Sequence, residues 1–430
     1  MAGQRIFALV ALAALSLCMS SASAHDVTSF PGCEATFGAG IHPFLFFADP
    51  GAFSGTGEPK YIIENMLNIK DVSVYFPACG FVANGDLLHQ RVSIGLTGIG
   101  PNNAVACVQQ ILDKCGDESV KNAIYMGTSG WSSAVGGVIT PPMNENDKST
   151  SCLTANKASA VPGRSVRRGD ICVSPISMNW MCTKASWSQQ CGSTPPGNQC
   201  FRPQNANGPD ASFLYGQCFF VTPIEGSIEL SEDILKVVTD GHFARNVPDK
   251  NNASYAQERK YWEITTNGTG IQWPVYNQST APTVFNRDTC VEVDGQFFYS
   301  GVPWEVTARD WAAEAIRSAG FNVNASASNV VAVAAMEAIG FMQALETFNR
   351  GACRPIPYTN IRSASNWLHN PVVYQGDGTW TDVVIDEDFA NGYGFAIASY
   401  SSLILSYFQQ RCLTVLNLDE PECTFTVDYA

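Results

Sequence analysis

A strand, a helix and a second buried strand follow one another between Val92 and Met126, and this order constrains the fold most. Val92-Ser-Ile-Gly-Leu-Thr97 has the β-branched and apolar content of a strand. Pro101-Asn102-Asn103 opens a helix, with Ala104, Val105, Val108, Ile111, Leu112 and Cys115 recurring on one face. Gly116 is placed to close it as the C′ residue. Ala123-Ile-Tyr-Met126 then reads as a buried strand ending at Gly127-Thr-Ser-Gly130. Such a βαβ unit implies a parallel sheet covered by helices on both faces.

The same alternation continues outside this unit. Pro43–Ala48, Val72–Phe76, Cys218–Thr222 and Pro357–Arg362 read as strands; Glu305–Ser318, Val330–Thr347 and Phe389–Gln410 read as helices. Two polar stretches, about 136–217 and 246–286, interrupt the pattern as loop insertions, the second with a short helix around Tyr255–Trp262. No repeat and no linker is visible, so residues 25–430 read as one α/β domain. Phe389–Gln410 has no charged residue, but its Asn, Gly, Ser and Gln content suits a buried core helix better than a membrane span.

Residues 1–24 are expected to be a signal peptide: a basic start at Arg5, an apolar run from Ile6 to Met19, and an A-x-A cleavage site ending at Ala24. That predicts a secreted protein, or one resident in the lumen of the secretory pathway. Cys18 is one of 15 cysteines, so its loss with the leader leaves an even count, enough for up to seven disulfides. Cys152, Cys172, Cys182, Cys191, Cys200 and Cys218 lie in one stretch rich in Gly, Ser, Asn and Pro, which would be floppy without cross-links. Cys107 and Cys115 share a helix, where eight residues span roughly 12 Å, so each needs a partner elsewhere. Asn252, Asn267, Asn277 and Asn324 head glycosylation sequons. A net charge of −14 argues against a nucleic-acid or anionic-membrane partner.

Two features carry the chemistry. Glu337 is the sole charged residue between Arg317 and Glu346, in an apolar run where a buried carboxylate needs compensation. Backbone or arginine could supply it, or a ligand could. Second, Gly98-Ile-Gly-Pro, Gly127-Thr-Ser-Gly and Arg362-Ser-Ala-Ser-Asn366 read as turns at strand ends, where α/β sheets bind ligands. Neither a dinucleotide fingerprint nor a G-x-S-x-G nucleophile elbow is present.

In order along the chain, Gly98-Ile-Gly-Pro-Asn-Asn-Ala, Gly127-Thr-Ser-Gly, Val166-Arg-Arg-Gly-Asp-Ile-Cys-Val, Asp294-Gly-Gln-Phe-Phe, Ala335-Met-Glu-Ala and Ile361-Arg-Ser-Ala-Ser-Asn resemble the nucleoside phosphorylase superfamily of phosphorylases and nucleosidases. The leader and the Ser-Asn ending look like its plant bark-storage and fungal purine nucleoside permease branches. The resemblance implies a three-layer α/β sandwich with a mixed, mostly parallel sheet, and cleavage or formation of an N-glycosidic bond in a purine nucleoside. Glu337 matches the glutamate that grips the ribose hydroxyls and Asn366 the position facing the base, together the catalytic pair. Met336 matches the residue under the sugar, Phe297 the aromatic on the base, and Thr128 the hydroxyl near the anion or attacking water. Gly100 and Ser365 fall in the matched motifs as further substrate-binding positions. The resemblance implies no cofactor or metal, only phosphate as a co-substrate, a nucleoside or nucleobase as ligand, and homo-oligomers.

Two departures weaken the transfer. Asn366 stands where many members carry aspartate, and an amide donates a hydrogen bond without giving up a proton. Tyr125 lies where several phosphorylases hold phosphate with arginine. A catalytically silent storage or nucleoside-binding protein is the alternative expectation.

Overall fold

The computed structural model describes residues 29–49, 57–132, 166, 169–180, 185–188, 200–203, 223–243, 282–296, 302–327, 329–368, 372–374, 380–382 and 388–427. The leader, Phe297, the sequons at Asn252, Asn267 and Asn277, and the segments Cys218–Thr222 and Tyr255–Trp262 lie outside them.

An eleven-stranded mixed sheet forms the centre. Its axis is β1 (His42–Phe47), which pairs in parallel with β4 (Gln90–Leu96) on one side and β5 (Val120–Trp131) on the other. Beyond β4 lie β3 (Phe81–Leu87) and the edge strand β2 (Met66–Asp71), both antiparallel. Beyond β5 come β13 (Tyr358–Trp367, parallel), β6 (Ile171–Ser174, antiparallel) and β10 (Val284–Phe285). The end of β5 also pairs with β12 (Val331–Ala335), which continues to β11 (Cys290–Asp294) and β7 (Ser177–Asn179). Two hairpins, β8/β9 (Ala185–Ser188, Cys200–Pro203) and β14/β15 (Val372–Tyr374, Trp380–Asp382), stand apart.

Helices cover both faces, because Phe44–Phe47 of β1 and Ala123–Met126 of β5 are apolar and buried without a break. Phe44, Phe46, Ala123 and Tyr125 face α1 (Cys33–Phe37), α3 (Pro101–Ser119) and α6 (Ala338–Asn349). Leu45, Phe47, Ile124 and Met126 face α2 (Lys60–Glu64), α4 (Glu225–Thr239) and α7 (Asp388–Thr414). A further cluster buries α5 (Val302–Ser318) on β7, β11 and β12. The βαβ unit is β4–α3–β5, as its sequence predicts. No described helix is long and apolar enough to cross a membrane.

Several local readings change. Val72–Phe76 is a 3₁₀ turn over Ser73–Tyr75, because the Asp71 carboxylate accepts the Ser73 N–H and hydroxyl and breaks the strand. Gly116 is not a cap: α3 runs on to Ser119, and a Cβ at Gly116 would lie 2.5 Å from the Phe348 ring. The segment Val330–Thr347 is strand β12, a turn at Met336-Glu337, and then α6, since a short apolar run suits either state. Gly127-Thr-Ser-Gly and Arg362–Asn366 are extended strand, not turns. Residues 171–179, assigned by composition to the first insertion, build β6 and β7 of the main sheet.

Four disulfides brace the described residues. Cys115 bonds Cys33 and Cys107 bonds Cys79, meeting the need of the two helical cysteines for outside partners. Cys172 bonds Cys290 and Cys412 bonds Cys423. Among the described residues Cys353 is exposed and forms no disulfide.

Candidate active site

Strand ends and helix starts converge on a cavity of about 640 Å³. β1 ends in Ala48 and Asp49, β5 contributes Thr128, Ser129 and Gly130, β12 leads into Met336 and Glu337, β13 brings Ser365 and Asn366, and α7 brings Tyr393. Ile99 and Glu58 complete the wall. Of the residues singled out in the sequence, Glu337, Asn366, Met336, Thr128 and Ser365 meet here. Gly100 sits one layer back and donates its backbone N–H to Glu337 Oε1 at 3.2 Å.

Glu337 is 5% exposed and is the N-cap residue of α6. Its Oε2 accepts from the Met336 amide at 3.4 Å and from Arg362 Nη2 at 3.0 Å. Backbone and arginine therefore compensate the carboxylate, and it still lines the cavity. Asp294, at the end of β11, accepts the Ile339 amide at 2.8 Å in the first turn of α6. Burial, then the charges of Glu292 and Glu337, hold the Asp294 carboxyl well above its usual range.

Arg362 is the electrostatic hub, and it is 1% exposed. Its Nε and Nη2 donate to Glu292 Oε2 and Oε1 at 2.8 and 3.0 Å, while Asn360 Nδ2 also donates to Glu292. The guanidinium lies 5.0 Å over the Tyr125 ring. Burial opposes the charge on Arg362, but Glu292 and Glu337 outweigh it and keep the group protonated. Burial pushes Glu292 up despite the arginine. Tyr125 is wholly buried and bonds Thr97 through its hydroxyl, so it supports the hub from behind.

Glu58 was not singled out in the sequence. Its Oε2 accepts the amides of Ala48 and Asp49 at 3.0 and 3.3 Å, and its Oε1 accepts the Thr128 amide at 2.8 Å. The Thr128 hydroxyl adds a longer contact at 3.3 Å. Burial is the largest influence and, against the opposing charge of Arg362, pushes Glu58 up to about 7. Asp49 accepts the Tyr393 hydroxyl at 2.6 Å. The Ala48 and Asp49 amides are thus occupied by the protein's own carboxylate. Ser365 Oγ lies 2.9 Å from Asn366 Oδ1 and 3.1 Å from the Ser129 carbonyl, fixing the amide by its oxygen. Glu337 was marked by being a lone carboxylate in an apolar stretch; Glu292, two residues from Asp294 in β11, and Glu58, in Gly57-Glu58-Pro59 beside Lys60, carry no such signal.

No family model matches the chain, and no curated protein matches it. Among solved structures it is similar to the 5'-methylthioadenosine/S-adenosylhomocysteine nucleosidase of Neisseria meningitidis in complex with methylthio-immucillin-A: 14% identity, TM-score 0.43, over 86% of this chain and 98% of that one. It is likewise similar to the Streptococcus pneumoniae MTA/SAH nucleosidase in complex with 8-aminoadenine, at 13% identity and TM-score 0.42, over 86% of this chain and 99% of that one. The S-adenosylhomocysteine nucleosidase of Streptococcus pyogenes, in complex with 5-methylthiotubericidin, gives 12% identity and TM-score 0.42, over 86% and 98%.

Proposed function

We propose that this chain is a nucleosidase of the secretory pathway that hydrolyses the N-glycosidic bond of purine nucleosides. The observation that carries the reading is the carboxylate pair on one cavity wall system: Glu337, anionic acceptor for sugar hydroxyls, and Glu58, buried with its acid constant near neutrality. A cleaving glycosidic bond leaves positive charge on the sugar, and Glu337 favours that charge where it develops. Glu58, ionised above about pH 7, takes the proton of the attacking water. Asn366 donates an amide hydrogen bond to the departing base, which leaves as its anion and takes a proton from solvent, a route that suits a 6-oxopurine.

Water is favoured over phosphate as the acceptor. Phosphate needs donors or cations, yet the amides of Ala48, Asp49 and Thr128 serve Glu58, and Arg362 serves Glu292 and Glu337. An anion entering beside these carboxylates meets repulsion. The test incubates purified protein with inosine, guanosine, adenosine and uridine, with and without phosphate, and follows free base. Release independent of phosphate is expected; no release above background sinks the enzymatic reading, and dependence on phosphate sinks hydrolysis.

A silent nucleoside-binding or storage protein is the second reading, and Asn366 favours it, because an amide cannot protonate a leaving base. Tight nucleoside binding by calorimetry without turnover would select it.

A further inference from the structure

The mechanism above uses Glu337 and Glu58 and leaves a third buried carboxylate, Glu292, unexplained. It is 0% exposed, in the middle of β11, and does not line the cavity. Both its oxygens engage Arg362, and Asn360 from β13 steadies Oε2. The Nη2 of the same guanidinium reaches Glu337 Oε2 at 3.0 Å. A buried ion pair of this kind adds little net stability over an apolar pair of like volume, so structure alone is a weak reason to keep it.

The charge count supplies a stronger one. Arg362 paired with Glu337 alone would form a neutral pair and cancel the field that Glu337 projects into the cavity. With Glu292 on its other side, the three groups retain a net negative charge, and the arginine is still held for orientation. We infer that Glu292 is a positioning residue for the glycosidic step: it holds and neutralises Arg362, so that Glu337 keeps both its orientation and its negative charge toward the sugar. This inference rests on the nucleosidase reading.

The test compares the affinities of two probes bearing the same purine-like base. One carries a protonated pyrrolidine with the ribose hydroxyls, the other is a neutral, non-hydrolysable C-nucleoside. In Glu292→Gln the preference for the cationic probe should fall about ten- to a hundred-fold, the scale of a bond to a charged group. The kcat should fall with it, while KM moves much less. In Glu292→Asp, which keeps the charge and shortens the reach, the preference should hold within about threefold. Loss of affinity for both probes alike, an unchanged preference in the Gln variant, or equal loss of preference in both variants would overturn the inference. Should the Gln variant not fold, the Asp variant decides alone: a lost preference overturns the inference and a retained one supports it. Wild-type protein that binds neither probe overturns the nucleosidase reading and this inference with it, whereas wild-type binding with an unresponsive ratio overturns this inference only.

Discussion

Glu58 joins the end of β1 to the C-terminal part of β5, its Oε1 accepting the Thr128 amide at 2.8 Å while its Oε2 takes the Ala48 amide at 3.0 Å. The two strands are already neighbours, so the carboxylate is not needed to hold them together. Its place in the cavity wall is better explained by chemistry than by architecture.

The first prediction follows from its acid constant. A base acts in its ionised form, and Glu58 is raised to about 7, so protonation below that pH switches it off. The rate kcat/KM should therefore rise with pH through about 7 and level off above it. Glu58→Gln should lose roughly 10²- to 10⁴-fold in rate and abolish that limb. A wild-type profile that is flat from pH 5 to 8 would remove Glu58 from the mechanism.

The site was only half legible in the sequence, for a physical reason. Lone carboxylates in apolar surroundings stand out, and Glu337 did so at once. Glu292 and Asp294 alternate with valine in a strand of five residues, a pattern that reads as a half-exposed strand although all five are buried. Glu58 lies in Gly57-Glu58-Pro59, whose composition reads as a turn. Only the parallel pairing of β1 with β5 brings it to Thr128. The fold was clearer where period and length agreed, as in β4–α3–β5. It was obscure where a strand was polar, as in β2, whose last five residues are exposed, and where Val330–Ala335 could be either state.

Glu337→Gln tests the sugar grip. The substitution keeps volume but removes the anionic acceptor, and leaves Arg362 with Glu292 alone. A bond to a charged group is worth about 1.5–3 kcal/mol, so kcat should fall roughly ten- to a hundred-fold. Steady-state kinetics beside a thermal melt separate this from unfolding. A folded variant with wild-type kcat would place the sugar elsewhere.

Asn366→Asp probes the base end. Asn366 presents an amide whose oxygen is met by the Ser365 hydroxyl at 2.9 Å. An aspartic acid at that position can donate a proton to the purine ring as well as a hydrogen bond, which relaxes the demand for a 6-oxo group. The ratio of kcat/KM for adenosine over inosine should rise. An unchanged ratio means that residue 366 does not face the base.

The last prediction concerns how two helices hold the site in register. Gly340 lies in the first turn of α6, and a Cβ there would come within 2.1 Å of the Pro101 carbonyl oxygen at the start of α3. Backbone cannot give way as a side chain can, so Gly340→Ala should cost about 1–3 kcal/mol of stability. Between these same helix starts runs the bond from the Gly100 amide to Glu337, at 3.2 Å. Pushing them apart should lengthen that bond and lower kcat as well as Tm. Gly116→Ala provides the control, since its Cβ would meet the Phe348 ring where the far ends of α3 and α6 pack. That variant should lose stability and keep its kcat at temperatures where it remains folded. If both variants lower kcat equally, the contact between the helix starts is packing alone and does not set the position of Glu337.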